Sequence, residues 1–115
     1  MSKALFVAEL DLNPGKSGAD AETFFVEEFL PNAAELPGWT PTLHVGNHGR
    51  RPGQYLMINY FESAERAREL FPGDDAMSEE FQQWMAANPV WTGLMSYFDY
   101  DKLLTAYTEY TTLGG

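Results

Sequence analysis

His44 is the best single candidate for acid–base chemistry in the sequence, because imidazole titrates near neutral pH. It lies near the end of a predicted strand, on the same side as Thr40 and Thr42, so it can face a barrel interior. A half-exposed histidine on an edge strand is the alternative. His48 stands in a glycine- and arginine-rich loop, where a solvated side chain is expected. With no carboxylate near either histidine in sequence, we predict no metal site.

Glu9 is the second candidate for a proton-transfer group. It interrupts an apolar strand on the same side as Leu5 and Val7, so we predict that it points into a cavity or a subunit interface. A buried carboxyl group has a raised pKa and can act as a base. An ion pair or a wet position near the strand end is the structural alternative.

Two further pairs of residues are predicted to contact a substrate. Tyr55 and Asn59 share one face of the third strand and can hydrogen-bond a carbonyl or phenol oxygen, although buried side chains of these types usually find protein partners. Trp84 and Trp91 recur with Phe98 at helical spacing. They are predicted to line the same pocket, with packing in the core as the alternative.

The elements that must position these residues follow from turn signals and from hydrophobic periodicity. Segments rich in β-branched and aromatic residues predict strands at 4–12, 39–45, 54–61 and 104–113. Apolar residues at helical spacing predict a helix at 20–30 and a helical layer in three pieces over 63–98. Pro31 is expected to break or kink the first helix, because proline lacks the backbone N–H.

The order β-α-β-β-α-β predicts an α+β, ferredoxin-like domain spanning residues 1–115. A right-handed crossover in each half gives a four-stranded antiparallel sheet with helices on one face. The other face is predicted to carry Leu5, Val7, Met57 and Phe61, which are too apolar for water. We therefore predict a homodimer in which a second subunit covers this face, sheet against sheet.

Composition limits the partners and the compartment. The net charge of −10 argues against nucleic-acid and anionic-membrane partners, which offer no positive charge to meet it. No apolar run approaches the roughly 20 residues of a membrane span, and the N-terminal segment is too short and too acidic for a signal peptide. The chain has no cysteine, so it has neither disulfides nor a thiol nucleophile. We expect a cytoplasmic protein.

Three short motifs resemble the dimeric α/β-barrel superfamily, which includes antibiotic-biosynthesis-monooxygenase-like domains. They are Leu36-Pro37-Gly38 before strand two, Glu62-Ser63-Ala64 after strand three, and Ser78-Glu79-Glu80-Phe81 in the second helical region. The resemblance, closest to uncharacterised members, implies a face-to-face homodimer with a pocket between sheet and helices in each protomer. Monooxygenase-like members often carry Ser-x-His-Phe where this chain has Glu80, which argues against haem degradation and weakens a phenol monooxygenase role.

The superfamily contains monooxygenases, cyclases, isomerases and ligand-binding domains, so the fold alone does not select an activity. One hypothesis is an enzyme without metal or cofactor that acts on a hydrophobic aromatic or polyketide-like molecule. In it His44 or Glu9 moves a proton, and Tyr55 or Asn59 orients an oxygen. The alternatives are a non-catalytic small-molecule-binding module and a structural dimerisation module. A pocket that holds one residue of each pair would favour the enzyme.

Overall fold

A computed structural model describes residues 4–50, 52–72, 77–99, 107–111 and 113. The strands are β1 (Ala4–Leu10), β2 (Trp39–Val45), β3 (Tyr55–Phe61) and β4 (Tyr107–Thr111). The first helical unit comprises α1 (Gly18–Phe24), a π-helical segment (Phe25–Phe29) and α2 (Leu30–Ala33). The second comprises α3 (Ala64–Leu70), α4 (Glu79–Ala87) and α5 (Val90–Tyr97). None of the helices within the described ranges is long and apolar enough to span a membrane.

The four strands form one antiparallel sheet in the order β2-β3-β1-β4. This order confirms the prediction of a ferredoxin-like α+β fold. The predicted first strand is two residues too long, since β1 ends at Leu10 and Leu12 makes only an isolated bridge to Phe98. The fourth strand was predicted over 104–113. Its residues 104–106 and 112 lie outside the part of the chain that the structure describes.

Pro31 does not break the first helical unit, so of the predicted break or kink the break does not occur. The chain widens into the π-helical segment just before it, and the N–H of Leu30 donates to the carbonyl of Phe25, five residues back. The side-chain amide of Asn32 also donates to the Glu28 carbonyl at 2.7 Å. Helix α2 begins at Leu30, includes Pro31 in its first turn and continues to Ala33.

The strand registers show which residues lie beneath the helices. Met57 and Phe61 were predicted on the helix-free face, and this is wrong: they are 1% and 3% exposed and pack beneath the helices. They lie opposite the buried Ala8 and Ala4 in the β1–β3 register. Leu5 and Val7 lie on the helix-free face as predicted, because the neighbouring Ala4 and Ala8 point to the core. Because successive side chains of a strand point to opposite faces of the sheet, an error of one residue assigns every side chain of that strand to the wrong face.

Aromatic side chains fill the space between the sheet and the helices. The Trp39 ring makes edge contacts with Phe29, Phe81 and Trp84, at centroid distances of 6.1, 5.4 and 5.2 Å. Its indole Nε1–H donates to the Asn59 Oδ1 at 2.9 Å. Edge-to-face packing of this kind stabilises beyond the area that it buries. Aromatic residues thus fill the centre of the layer between sheet and helices in the described part of the chain.

Asn13 joins the end of the first strand region to the end of α5. Its backbone N–H donates to the Tyr97 carbonyl at 2.8 Å. Its side-chain amide lies 3.1–3.2 Å from the carbonyl oxygens of Met95, Ser96 and Phe98. Carbonyls at the end of a helix have no partner within the helix, so this side chain supplies the donor that they lack.

Replacing Asn13 with Asp should therefore lower the free energy of unfolding by about 1–3 kcal/mol, since it puts a carboxylate against helix-terminal carbonyls. Urea denaturation followed by circular dichroism measures the change. Asn47→Asp, in the exposed hairpin loop, makes the same charge change and should cost less than about 0.5 kcal/mol. Equal losses in the two variants would contradict this role for Asn13.

Candidate functional site

A cleft of about 130 Å³ lies between the first helical unit and the sheet, at the end of β2. Four apolar side chains and three residues with polar side chains line it: Phe25, Val26, Leu43, Val45, Glu22, His44 and Tyr55. Val26 is 62% exposed, so part of the apolar wall is open to solvent. An apolar cleft with a few convergent polar groups is the usual form of a small-molecule site.

Tyr55 and Glu22 form the polar pair of this cleft. The phenol Oη–H donates to the Glu22 Oε2 at 2.6 Å, and the Tyr55 ring packs edge-on against Phe98 at 5.3 Å. Burial, the hydrogen bond to Glu22 and the charge of that carboxylate together raise the pKa of Tyr55 to about 12. The phenol is therefore neutral at physiological pH. Because its proton goes to Glu22, its oxygen is left as an acceptor.

Gly18, the first residue of α1, makes room for this pair. A Cβ at position 18 would lie 2.6 Å from the Tyr55 Oη. The side chain of Ser17 accepts a hydrogen bond from the Asp20 N–H and starts the helix at this point. Glu22 lies one turn later and reaches Tyr55. The helix start thus places the carboxylate beside the phenol.

His44 lies where the cleft meets the helix-free face at the sheet edge. The register places it with Thr40 and Thr42 on the helix-free side of β2, which agrees with the predicted parity. It is exposed and also contributes to the lining of the cleft. Its Nε2 lies 2.8 Å from the Thr42 Oγ1. His44 and Tyr55, each from one of the two predicted pairs, therefore line the same cleft.

Glu9 lies away from the cleft, on the helix-free face. It pairs with Leu56, which pairs with His44, so Glu9 and His44 occupy one row of the sheet two strands apart. At about 4.8 Å per strand the two residues are separated by roughly 10 Å. Glu9 is exposed at this position. A role for Glu9 at the same substrate as Tyr55 is therefore not supported by this arrangement.

The remaining predicted substrate contacts lie in the core or at a second surface. Asn59 binds the Trp39 indole, and the buried Trp84 donates its Nε1–H to the Asn32 carbonyl at 2.9 Å. Trp91 packs edge-on against Phe81 at 5.5 Å and lines a wide, open groove between α4 and α5. The six predicted residues therefore do not form a single pocket.

Glu22 and Gly18 are the cleft residues that the sequence did not reveal. Glu22 is separated from Tyr55 by 33 positions in sequence, and this distance gives no sign of the contact. A glycine that begins a helix after a Pro-Gly turn is typical of a connection. Only the packing of α1 against β3 indicates a role for either residue.

The four-stranded antiparallel sheet with its two helical units defines the chain as a ferredoxin-like α+β domain. No protein-family model and no curated protein sequence matches it. Among solved structures it is similar to SnoaB, a cofactor-independent oxygenase from Streptomyces nogalater, with a TM-score of 0.55 and 13% identity. The match covers 100% of this chain and 95% of SnoaB.

Two other solved structures agree with this assignment of the fold. A mutant of SnoaB matches with a TM-score of 0.54 and 16% identity, over 100% of both chains. An antibiotic biosynthesis monooxygenase-like protein from Chloroflexus aurantiacus J-10-fl matches with a TM-score of 0.53 and 16% identity, over 99% of this chain and 96% of that one. At these identities the likeness establishes the fold and leaves the activity to the residues of the site.

The raised pKa of Tyr55 predicts how stability changes in alkali. Between the ordinary pKa of 10.0 and about 12, the unfolded chain has lost the phenol proton while the folded chain keeps it. The free energy of unfolding should therefore fall as the pH rises through this range, by about 2–3 kcal/mol. Urea titrations at pH values from 9 to about 11.5 should show this fall for the wild type and a flatter profile for Tyr55→Phe. Glu22→Gln should give an intermediate slope, and parallel profiles for all three would contradict the prediction.

Proposed function

We propose that this chain is a cytoplasmic, cofactor-independent enzyme that acts on a hydrophobic aromatic molecule carrying a phenol hydroxyl. The observation that carries the proposal is the shared cleft of His44, Tyr55 and Glu22, with apolar walls around it. The likeness to a cofactor-independent oxygenase supports the reaction class.

The polar atoms of the cleft favour a substrate that donates a hydrogen bond. The Tyr55 oxygen is left as an acceptor, and the Glu22 carboxylate only accepts. A phenol hydroxyl can donate its one hydrogen to either oxygen, while its ring lies against Phe25 and Leu43 and extends over the exposed Val26. This chemistry suits a polycyclic phenol, of which one ring enters the cleft and the others cover its mouth.

His44 is the proposed base. When imidazole takes the phenol proton it becomes a cation beside the new phenolate, and this opposite charge stabilises the phenolate. The phenolate delivers electrons through its ring carbon to dioxygen, and a carbon–oxygen bond forms there. For anthrone, whose enol form is a tricyclic phenol, loss of water then gives the quinone: one oxygen atom of dioxygen becomes the new carbonyl and the other leaves as water.

The packed space between sheet and helices favours a second candidate, a module that binds such molecules without chemistry. Trp39, Phe81 and Trp84 fill the space in which a large substrate would otherwise be enclosed. Binding of anthrone without oxygen uptake would support this candidate. Proton transfer without oxygen uptake would instead support a cyclase or an isomerase.

We further propose that two copies of the chain associate through the helix-free face. Leu5, Val7 and Ile58 form its centre, and Tyr60 and Tyr110 on either side of Leu5 are 42% and 50% exposed. An apolar face of this kind on one side of a sheet is usually covered by another layer. A second copy presents the same residues and supplies that layer.

The enzyme hypothesis predicts that anthrone is oxidised with one dioxygen consumed per quinone formed. Replacing His44 with Ala should lower kcat/KM by about 10²–10⁴-fold, the usual contribution of a positioned base. An oxygen electrode measures the consumption of dioxygen, and the absorbance of the quinone measures the formation of product.

His48→Ala is the matched control for this measurement, because His48 is exposed in the hairpin loop and does not line the cleft. This variant should keep the wild-type rate. Equal rates in both histidine variants, or no oxygen uptake by the wild type, would contradict the enzyme hypothesis.

The dimer hypothesis predicts a sedimenting mass of about twice 13.0 kDa at micromolar concentration. Ile58→Lys places a charge at the centre of the helix-free face and should give the monomer mass, because burying an unpaired charge is costly. Gln83→Lys, on the exposed surface of α4, is the control and should remain dimeric. A wild-type monomer at this concentration would contradict the hypothesis.

A further inference from the structure

The hydroxyl of Thr42 has one proton and two neighbours that can share it. Its Oγ1 lies 3.1 Å from the Ile58 carbonyl oxygen and 2.8 Å from the His44 Nε2. Thr42 and Ile58 are directly opposite one another in the β2–β3 register. Within the described part of the chain, Thr42 is the only side chain at hydrogen-bond distance from the His44 ring. The direction of the Thr42 proton therefore bears on which ring nitrogen carries hydrogen.

Two arrangements are possible, and they differ in the number of hydrogen bonds. If the hydroxyl donates to the Ile58 carbonyl, its lone pair accepts a hydrogen from the His44 Nε2, and two hydrogen bonds form. If the hydroxyl donates to Nε2 instead, one hydrogen bond forms and two oxygens face each other at 3.1 Å without a proton. The first arrangement has one more hydrogen bond than the second. For a partly exposed hydrogen bond this corresponds to roughly a fivefold preference for the tautomer with hydrogen on Nε2.

We infer that Thr42 is a positioning residue: it holds neutral His44 with hydrogen on Nε2 and leaves Nδ1 as the nitrogen that accepts a proton. The inference rests on the proposed function, in which His44 is the base. To that proposal the inference adds two assignments: Nδ1 is the atom of His44 that receives the substrate proton, and Thr42 is the residue that selects this atom.

The position of Thr42 suits this role. It lies two residues before His44 on the same face of β2, so the two side chains are neighbours along the strand. A β-branched residue in a strand has few side-chain rotamers, so its hydroxyl stays in place. On the other side, His44 is opposite the apolar Leu56, which offers no competing hydrogen bond.

Nitrogen-15 NMR of the substrate-free protein tests the inference, because the shifts of the two ring nitrogens report the tautomer. The spectra are taken near pH 8.5, where imidazole is ordinarily neutral. His48, exposed in the loop, provides the intrinsic tautomer ratio of a solvated histidine in the same sample. We expect the Nε2–H to Nδ1–H ratio of His44 to exceed that of His48 by about fivefold.

Two variants separate the hydroxyl from the shape of the side chain. Thr42→Val keeps the β-branched form and suits a strand, so it should fold and give His44 the ratio of His48. Thr42→Ser keeps the hydroxyl and should retain the wild-type ratio. An unchanged ratio in Thr42→Val, or equal ratios for the two histidines in the wild type, would overturn the inference.

Turnover of anthrone distinguishes this inference from the proposed function. If both hold, Thr42→Val lowers kcat in proportion to the fraction of His44 that carries hydrogen on Nε2, with little change in KM, and Thr42→Ser restores it. This decrease is smaller than the change in the tautomer ratio, because a fraction changes less than a ratio. If the tautomer ratio depends on Thr42 but the wild type consumes no oxygen, the enzyme hypothesis fails and the tautomer assignment is supported. If the wild type turns over and the ratio does not depend on Thr42, the positioning role fails alone.

Discussion

Trp39 lies between the sheet and the helices, and the packing around it joins these two layers. Its ring contacts the π-helical segment through Phe29 and α4 through Phe81 and Trp84. Its indole N–H donates a hydrogen bond to Asn59, whose side chain lies on the helix-facing side of β3. Protein interiors pack to the density of organic crystals, and this cluster fills the centre of the described part of the interior with aromatic rings. The open cleft lies outside this aromatic cluster, at the end of β2 and beside Glu22 and Tyr55.

Glu80 is exposed at the start of α4 and forms an ion pair with Arg66 of α3. Arg66 binds the Glu80 carboxylate with both terminal nitrogens, at 2.9 and 2.8 Å, and donates its Nε–H to the Pro37 carbonyl. The guanidinium holds the pKa of Glu80 below its ordinary value. Gly38, with φ of +81°, passes so close that a Cβ would lie 2.8 Å from the Arg66 Cγ. In this chain the motif residues at 37, 38 and 80 join α3 and α4 to the start of β2.

Much of the fold could be predicted from the sequence because local signals and the global arrangement agree. Ser17, Ser63 and Ser78 each cap a helix, and the strands have alternating or continuous apolar residues. The predicted face of the sheet was wrong for Met57 and Phe61. Strand β3 is apolar on both faces, so its sequence does not distinguish one face from the other. Of the candidate site, His44 and Tyr55 could be predicted from residue type and strand position. Glu22 could not, because its contact depends on how the first helical unit packs on the sheet.

The edge strand β2 shows how a face-to-face dimer and an open cleft can coexist. The bonds from Glu62 N–H to the Gly38 carbonyl and from Gly46 N–H to the Gln54 carbonyl show that even-numbered residues of β2 pair with β3. The backbone of Pro41 therefore faces the outer edge, where it offers no N–H. A proline at this position hinders the addition of another strand, so association through the face is favoured over the edge. In the proposed dimer the edge beside His44 and Val45 stays accessible, and the proposed substrate reaches the cleft without separation of the subunits.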